Sequence, residues 1–191
     1  MTPVQKQLFK SSVMRALHAP GGPFASGSGK AVRQGEARPG ENGAGRNILE
    51  MTIVFDCSLT REDAKAYGAD IVGALKSSDE IFRNTRLNVV RWISDGEIRR
   101  DVTAAPMLQM GGYFADYEQR KQQKTLECLT GNLKKFDARS RLVILVTDGG
   151  FGVSDARKLQ ESLNPFLYRR LVIVEPDRIR EGAEFLAKQK V

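Results

Sequence analysis

The sequence predicts an α/β fold: a doubly wound, mostly parallel sheet with one antiparallel edge strand, preceded by a flexible N-terminal arm. Three observations carry this. Residues 48–55 form an apolar run of strand length, and Arg141–Thr147 is a near-continuous one of the kind buried on both faces. Between such runs lie stretches whose apolar residues recur every three or four positions, the helical period. Asp95-Gly96 separates two further strand-like runs, a strong short-range hairpin signal, so one strand runs against an otherwise alternating βα pattern.

Taken in order, residues 3–18 read as a short amphipathic helix with Val4, Leu8, Val13, Met14 and Leu17 towards one side. From Pro20 to Arg46 the chain is rich in Gly, with Pro, Ser and scattered charges and almost no large apolar residue. Such a composition buries too little surface to offset its ordering entropy and reads as a linker. Its Gly-Ser-Gly-Lys at 27–30 is not a phosphate loop. Phe24 stands at the first required Gly, Ala31 replaces Ser/Thr, and no strand precedes it.

The strand ending at Asp56 is followed by a helical stripe over 61–77 (Ala64, Tyr67, Gly68, Ile71, Val72, Leu75). Residues 86–94 are the next strand, and 97–103 return from the Asp-Gly turn. Pro106 and Gly111-Gly112 break up 104–124, where Tyr113, Phe114 and Tyr117 are placed to pack beneath a loop or short helix. Leu126, Leu129, Leu133 and Phe136 define a helix that begins at Thr125. After the strand at 141–147, Val153, Ala156, Leu159 and Leu163 predict a helix. Leu171–Val174 is a last strand, and Ile179, Ala183 and Leu186 predict a closing helix.

A chain of 191 residues suits one domain with an extension, here divided as 1–46 (short helix and linker) and 47–191 (the α/β domain). With 41% hydrophobic and 28% charged residues it has the makings of a real core. The formal charge is +7, and seven Lys/Arg against three Glu in residues 1–50 supply over half of it. The remaining body is nearly balanced, so nucleic acid is not an expected partner. No apolar run reaches membrane-spanning length and the N-terminus lacks a signal-peptide core. Cys57 and Cys128 form no metal or disulfide pattern, which suits a reducing compartment. The expected location is cytoplasmic. His18 is the single histidine, which leaves no Ser/His/Asp set for triad chemistry.

The candidate chemistry lies at two strand ends, Phe55-Asp56-Cys57-Ser58-Leu59-Thr60 and Val146-Thr147-Asp148-Gly149-Gly150. If the strands are parallel neighbours, Asp56, Ser58, Thr60 and Asp148 meet where open α/β sheets bind ligands. Carboxylates and hydroxyls are hard oxygen donors of the kind Mg²⁺ prefers. Each residue also has a plainer reading: Thr60 as a helix cap with Asp63, Ser58 as a turn hydroxyl, Asp148-Gly149 as a turn, and Cys57 as a small packed side chain.

Asp56-x-Ser58-x-Thr60 resembles the Asp-x-Ser-x-Ser motif of von Willebrand factor type A (vWA) domains, a Rossmann-like fold. Leu145-Val146-Thr147-Asp148-Gly149 is similar to their second hallmark, a strand ending in Thr-Asp-Gly. Thr125 falls where the family places a metal-binding threonine, and the Asp95-Gly96 hairpin matches its antiparallel edge strand. The resemblance spans roughly residues 48–187. Thr60 stands where the family has a second Ser, no Gly pair directly precedes Thr125, and the family's sixth strand has no counterpart in the expected elements. The resemblance implies a metal-ion-dependent adhesion site (MIDAS) for Mg²⁺ or Mn²⁺. In it Ser58 and Thr60 would ligate directly, Asp56 and Asp148 would hold its waters, and Thr125 would complete the shell. The implied function is an adaptor, a protein–protein interaction module whose partner offers Glu or Asp to the ion. Such a partner is an AAA+ ATPase or another assembly subunit, since intracellular members work in that setting.

Two other classes stay open. The strand-end Asp56 is also similar to the first motif of haloacid-dehalogenase-type phosphatases, with Asp56 as nucleophile and Asp148 or Asp155 on Mg²⁺. There Ser58 replaces the acid/base carboxylate. Alternatively the basic pairs Arg99-Arg100, Lys134-Lys135 and Arg169-Arg170 serve a structural or nucleic-acid-associated adaptor with a vestigial metal site.

Overall fold

The computed structural model describes residues 1–18, 49–78, 85–136, 140–162, 170–182 and 184. The linker read over 20–46 lies outside these, as do Ile48, Leu163, Arg169, Ala183 and Leu186. The described chain runs α1 (Pro3–His18), β1 (Leu49–Asp56), α2 (Arg61–Lys76), β2 (Thr85–Ser94) and β3 (Glu97–Thr103). It continues through α3 (Ala105–Gln109), a 3₁₀ turn (Gly112–Phe114), α4 (Leu126–Phe136), β4 (Leu142–Val146), α5 (Ala156–Ser162), β5 (Leu171–Val174) and β6 (Ile179–Glu181).

The strands form one six-stranded sheet in the order β3-β2-β1-β4-β5-β6. β1 pairs in parallel with both β2 and β4, and β4 with β5, so the centre of the sheet is parallel. Helices cover both faces, which is why β4 is buried at every position and reads as an unbroken apolar run. Alternate residues feed two cores. Ile53, Phe55, Val89 and Ile144 meet α1, α2 and the 105–117 segment on one side. Val54, Val90, Trp92 and Leu145 meet Leu126, Leu129 and Leu133 of α4 and Leu159 of α5 on the other. The fold is therefore the expected doubly wound α/β sheet.

Three features differ in detail. The sheet carries an antiparallel strand at each edge, β3 against β2 and also β6 against β5. Glu175-Pro176-Asp177-Arg178 turns the chain back, closed by the Glu175 N–H donating to the Arg178 carbonyl at 2.9 Å. The buried Glu175 carboxylate accepts from Arg178 Nε at 2.7 Å and from the Arg180 guanidinium at 2.7 Å. These bonds hold Ile179–Glu181 extended where a helix start was expected.

Secondly, α1 packs on the domain itself. Its buried residues are Phe9, Ser12, Val13, Ala16 and Leu17, whereas Val4, Leu8 and Met14 of the expected stripe face outward. The apolar face is rotated because Ser12 and Ala16 are small enough to sit against the sheet and let Phe9 and Leu17 go fully under. Burying each of those two contributes about 1.5–3 kcal/mol. Thr2 and Gln5 make a reciprocal capping box at its start, with bonds of 2.8 and 3.2 Å. Asp70 of α2 takes the Met1 ammonium and, at 2.8 Å, Lys6 Nζ; Arg15 meets Glu181 at 2.6 Å.

Thirdly, the broken segment 104–124 has a defined course. Gly111 adopts φ 78°, the left-handed region that favours glycine, and a Cβ there would also lie 2.5 Å from Lys65 Cε and force that side chain aside. The turn drops Phe114 edge-on against Phe55 with ring centroids 4.9 Å apart, and Tyr117 follows at 5.7 Å from Phe114. Among the described residues no helix is long and apolar enough to cross a membrane.

Candidate functional site

The parallel pairing of β1 with β4 brings the two strand ends to one edge, with Phe55 opposite Val146. Asp56 follows at the end of β1 and is completely buried. Its Oδ2 accepts the Thr147 hydroxyl at 2.8 Å, and the same hydroxyl accepts the Gly149 N–H at 3.0 Å. Its Oδ1 accepts the Ser58 N–H at 2.9 Å, an Asx turn that fixes the loop after β1. Asp56, Ser58 and Thr147 therefore form one connected group, with Thr147 a contributor that motif reading passed over.

The fourth member has a different character. Lys124 Nζ lies 2.5 Å from Asp56 Oδ1, 2.7 Å from Ser58 Oγ and 3.3 Å from the Arg120 carbonyl. Its side chain is 1% exposed and that of Asp56 0%. An ammonium has three N–H donors, and here each finds an oxygen. The Trp92 ring lies 5.8 Å from the ammonium. A buried lysine inside a stretch as polar as Gln122-Gln123-Lys124 leaves no mark on hydropathy, so no periodic signal marks it. The one available clue is that it directly precedes Thr125.

The other expected site residues take different partners. Thr60 is the N-cap of α2, its hydroxyl accepting from the Asp63 N–H at 3.1 Å and donating to Asp63 Oδ2 at 2.7 Å. Thr125 turns towards the β2–β3 hairpin, where Asp95 accepts its N–H at 2.8 Å and its hydroxyl at 2.9 Å. Asp148 is exposed, and its Oδ1 accepts from the Gly150 N–H at 2.9 Å. Only Asp56 and Ser58 of the five are joined at the centre.

A strap closes over this group. Tyr117 donates its hydroxyl to the Asp56 and Leu59 carbonyls at 3.1 and 3.3 Å, and Gln119 Nε2 donates to the Ser58 carbonyl at 2.7 Å. The Arg120 N–H donates to the Cys57 carbonyl at 2.6 Å. Residues 117–124 are thus anchored at both ends by buried side chains, Tyr117 and Lys124, with 118–123 exposed between them. Burial raises the Cys57 thiol above its ordinary range, which suits a packed side chain and not a nucleophile.

A divalent ion of the implied kind needs the oxygens of Asp56 and Ser58. In this arrangement both are engaged by the ammonium, Asp56 is the single buried carboxylate of the group, and Thr60, Thr125 and Asp148 are bonded elsewhere. Among the described residues no cluster of three or more His, Cys, Asp or Glu could hold a metal. The residues as arranged do not fit a bound Mg²⁺. Compared with protein-family models and with curated protein sequences, the chain matches none.

Proposed function

We propose that this chain is a protein-interaction module of vWA type, an adaptor that meets an assembly subunit at the carboxyl edge of its sheet. The observation that carries this reading is the joining of the two strand-end motifs through Asp56 beneath the strap 117–124. The bonds to Ser58 N–H, Thr147 and Lys124 leave a firm, water-exposed surface made of Gln119–Gln123 and the Asp148–Gly150 turn. A preorganised surface loses less entropy on association than a mobile loop does. The phosphatase reading is disfavoured by the same geometry, because a fully buried Asp56 with both oxygens engaged has no approach to a phosphorus atom. Glu118 and the basic Arg120 and Lys121 on the strap offer a charged rim to a partner, the kind of group that sets association rate and specificity.

The test is quantitative co-purification on tagged chain in its own cells. The variants are Lys121→Glu with Asp148→Lys on the proposed surface, and Arg141→Glu at the opposite edge as control. A partner retained by the wild type and the control but lost from the surface variant supports the reading. Identical partner sets for all three, or phosphatase turnover that Asp56→Asn abolishes, would remove it.

A further inference from the structure

We propose that the Lys124 ammonium is a tethered cation standing in for a divalent ion at this edge, so the native centre takes no Mg²⁺ or Mn²⁺. Removing the ammonium opens a divalent-cation site. This stands apart from the question of what the surface above it binds.

Charge and donor count both point this way. Asp56 is a fully buried carboxylate with no second buried carboxylate joined to it, so a single positive charge balances it. A divalent ion added beside the ammonium would leave two positive charges uncompensated, at a cost in a low-dielectric interior of several kcal/mol per ion. The acceptors that receive the ammonium are oxygens of three kinds, carboxylate, hydroxyl and carbonyl, all of which also ligate hard metal ions. A lysine differs from an ion in one useful way: it is covalently part of the strap. Neutralising Asp56 therefore also fastens residues 117–124 down on the β1–α2 loop, with no dependence on ion concentration.

Removal of the side chain leaves Asp56 Oδ1, Ser58 Oγ and the Arg120 carbonyl converging on a space the size of an ammonium, with one negative charge unbalanced. Water completes the shell in Mg²⁺ and Mn²⁺ sites, which keep several waters even when bound. Lys124→Ala is thus expected to gain what the wild type lacks.

The experiment uses the full chain, wild type, Lys124→Ala and Lys124→Ala/Asp56→Asn. Free Mn²⁺ is titrated by electron paramagnetic resonance, and the fluorescence of Trp92, the one tryptophan in the sequence, serves as a local reporter. The expected result is no stoichiometric Mn²⁺ uptake and no Trp92 quenching in the wild type at millimolar Mn²⁺. Lys124→Ala takes up one equivalent at least about tenfold more tightly, with quenching and a raised thermal midpoint, and the double variant does not. Stoichiometric uptake by the wild type overturns the proposal, and that arm needs no variant to fold. Lys124→Ala that folds but binds Mn²⁺ no better than wild type overturns it equally. If Lys124→Ala does not fold alone, refolding in Mn²⁺ but not in Na⁺ supports the proposal, and failure in both is checked with Lys124→Met. Lys124→Met that folds with its space filled, while neither Mn²⁺ nor propylammonium restores the fold of Lys124→Ala, overturns it.

Discussion

Asp95 and Thr125, thirty positions apart, are joined twice: the Asp95 carboxylate accepts the Thr125 N–H at 2.8 Å and its hydroxyl at 2.9 Å. The pair ties the β2–β3 hairpin to the head of α4, directly beside Lys124. Thr125 also bridges to Gly152 of the loop after β4, where the Gly152 N–H meets the Lys124 carbonyl at 2.9 Å. The threonine that motif reading offered to a metal is therefore a joint between three loops, and it sets the position from which Lys124 reaches inward.

Asp95→Ala removes both bonds at a half-buried carboxylate. Charge-assisted hydrogen bonds of this kind are worth about 1.5–3 kcal/mol together with the partners they leave unmade. Urea denaturation should show a loss of about 2 kcal/mol, with Asp95→Asn intermediate. A change within about 0.5 kcal/mol, as for ordinary surface substitutions, would contradict this joint.

Breaking the buried Lys124–Asp56 pair from either side leaves an uncompensated charge. Lys124→Met and Asp56→Asn should each destabilise by about 3–5 kcal/mol. The double variant should cost clearly less than the sum, with a coupling of about 2 kcal/mol, because neither charge is then stranded. Additive losses in a denaturant-based cycle would show that the two side chains act independently.

The N-terminal helix offers a contrast between adjacent residues. Phe9 is fully buried and Leu8 is 49% exposed. Phe9→Ala should cost about 3–5 kcal/mol, whereas Leu8→Ala should stay within about 0.5 kcal/mol. Equal effects would mean that α1 does not dock as described.

The cysteines differ in reactivity for the same reason of burial. Desolvation pushes the Cys57 thiol above its ordinary value and burial shields it, while Cys128 is half-buried on α4. A disulfide reagent at pH 8 should titrate Cys128 in the native protein and Cys57 only after unfolding. Two equally fast thiols at pH 8 would exclude this packing.

How much was legible follows from what makes a pattern. The parallel strands are buried on both faces, so their runs announce them, and the Asp95-Gly96 turn announces β3. β6 is three half-buried residues, Ile179-Arg180-Glu181, too short and too polar for any period. Its one clue is Pro176-Asp177, a turn pair one residue beyond Val174. On α1, Val13 and Leu17 of the expected stripe are buried, but Val4, Leu8 and Met14 point to the wrong face, since small Ser12 and Ala16 lie on the buried side and carry almost no hydropathy. At the site, the two strand ends are visible as motifs and the β1–β4 pairing brings them to one edge, but of the five expected residues only Asp56 and Ser58 are joined there. Which oxygen meets which donor is not visible, since a lysine is buried through a single carboxylate and not through a stripe. Thr60, whose capping role was open beside its ligand role, takes the cap in the structure described here.

The central claim is that Lys124 holds the position an ion would take. The most direct measurement is a crystal structure of the wild-type chain soaked in Mn²⁺, with anomalous diffraction at the manganese edge. The account predicts Lys124 Nζ in hydrogen-bond contact with Asp56 and Ser58 and no anomalous peak between those side chains. A manganese peak there, with Lys124 displaced towards solvent, would contradict it.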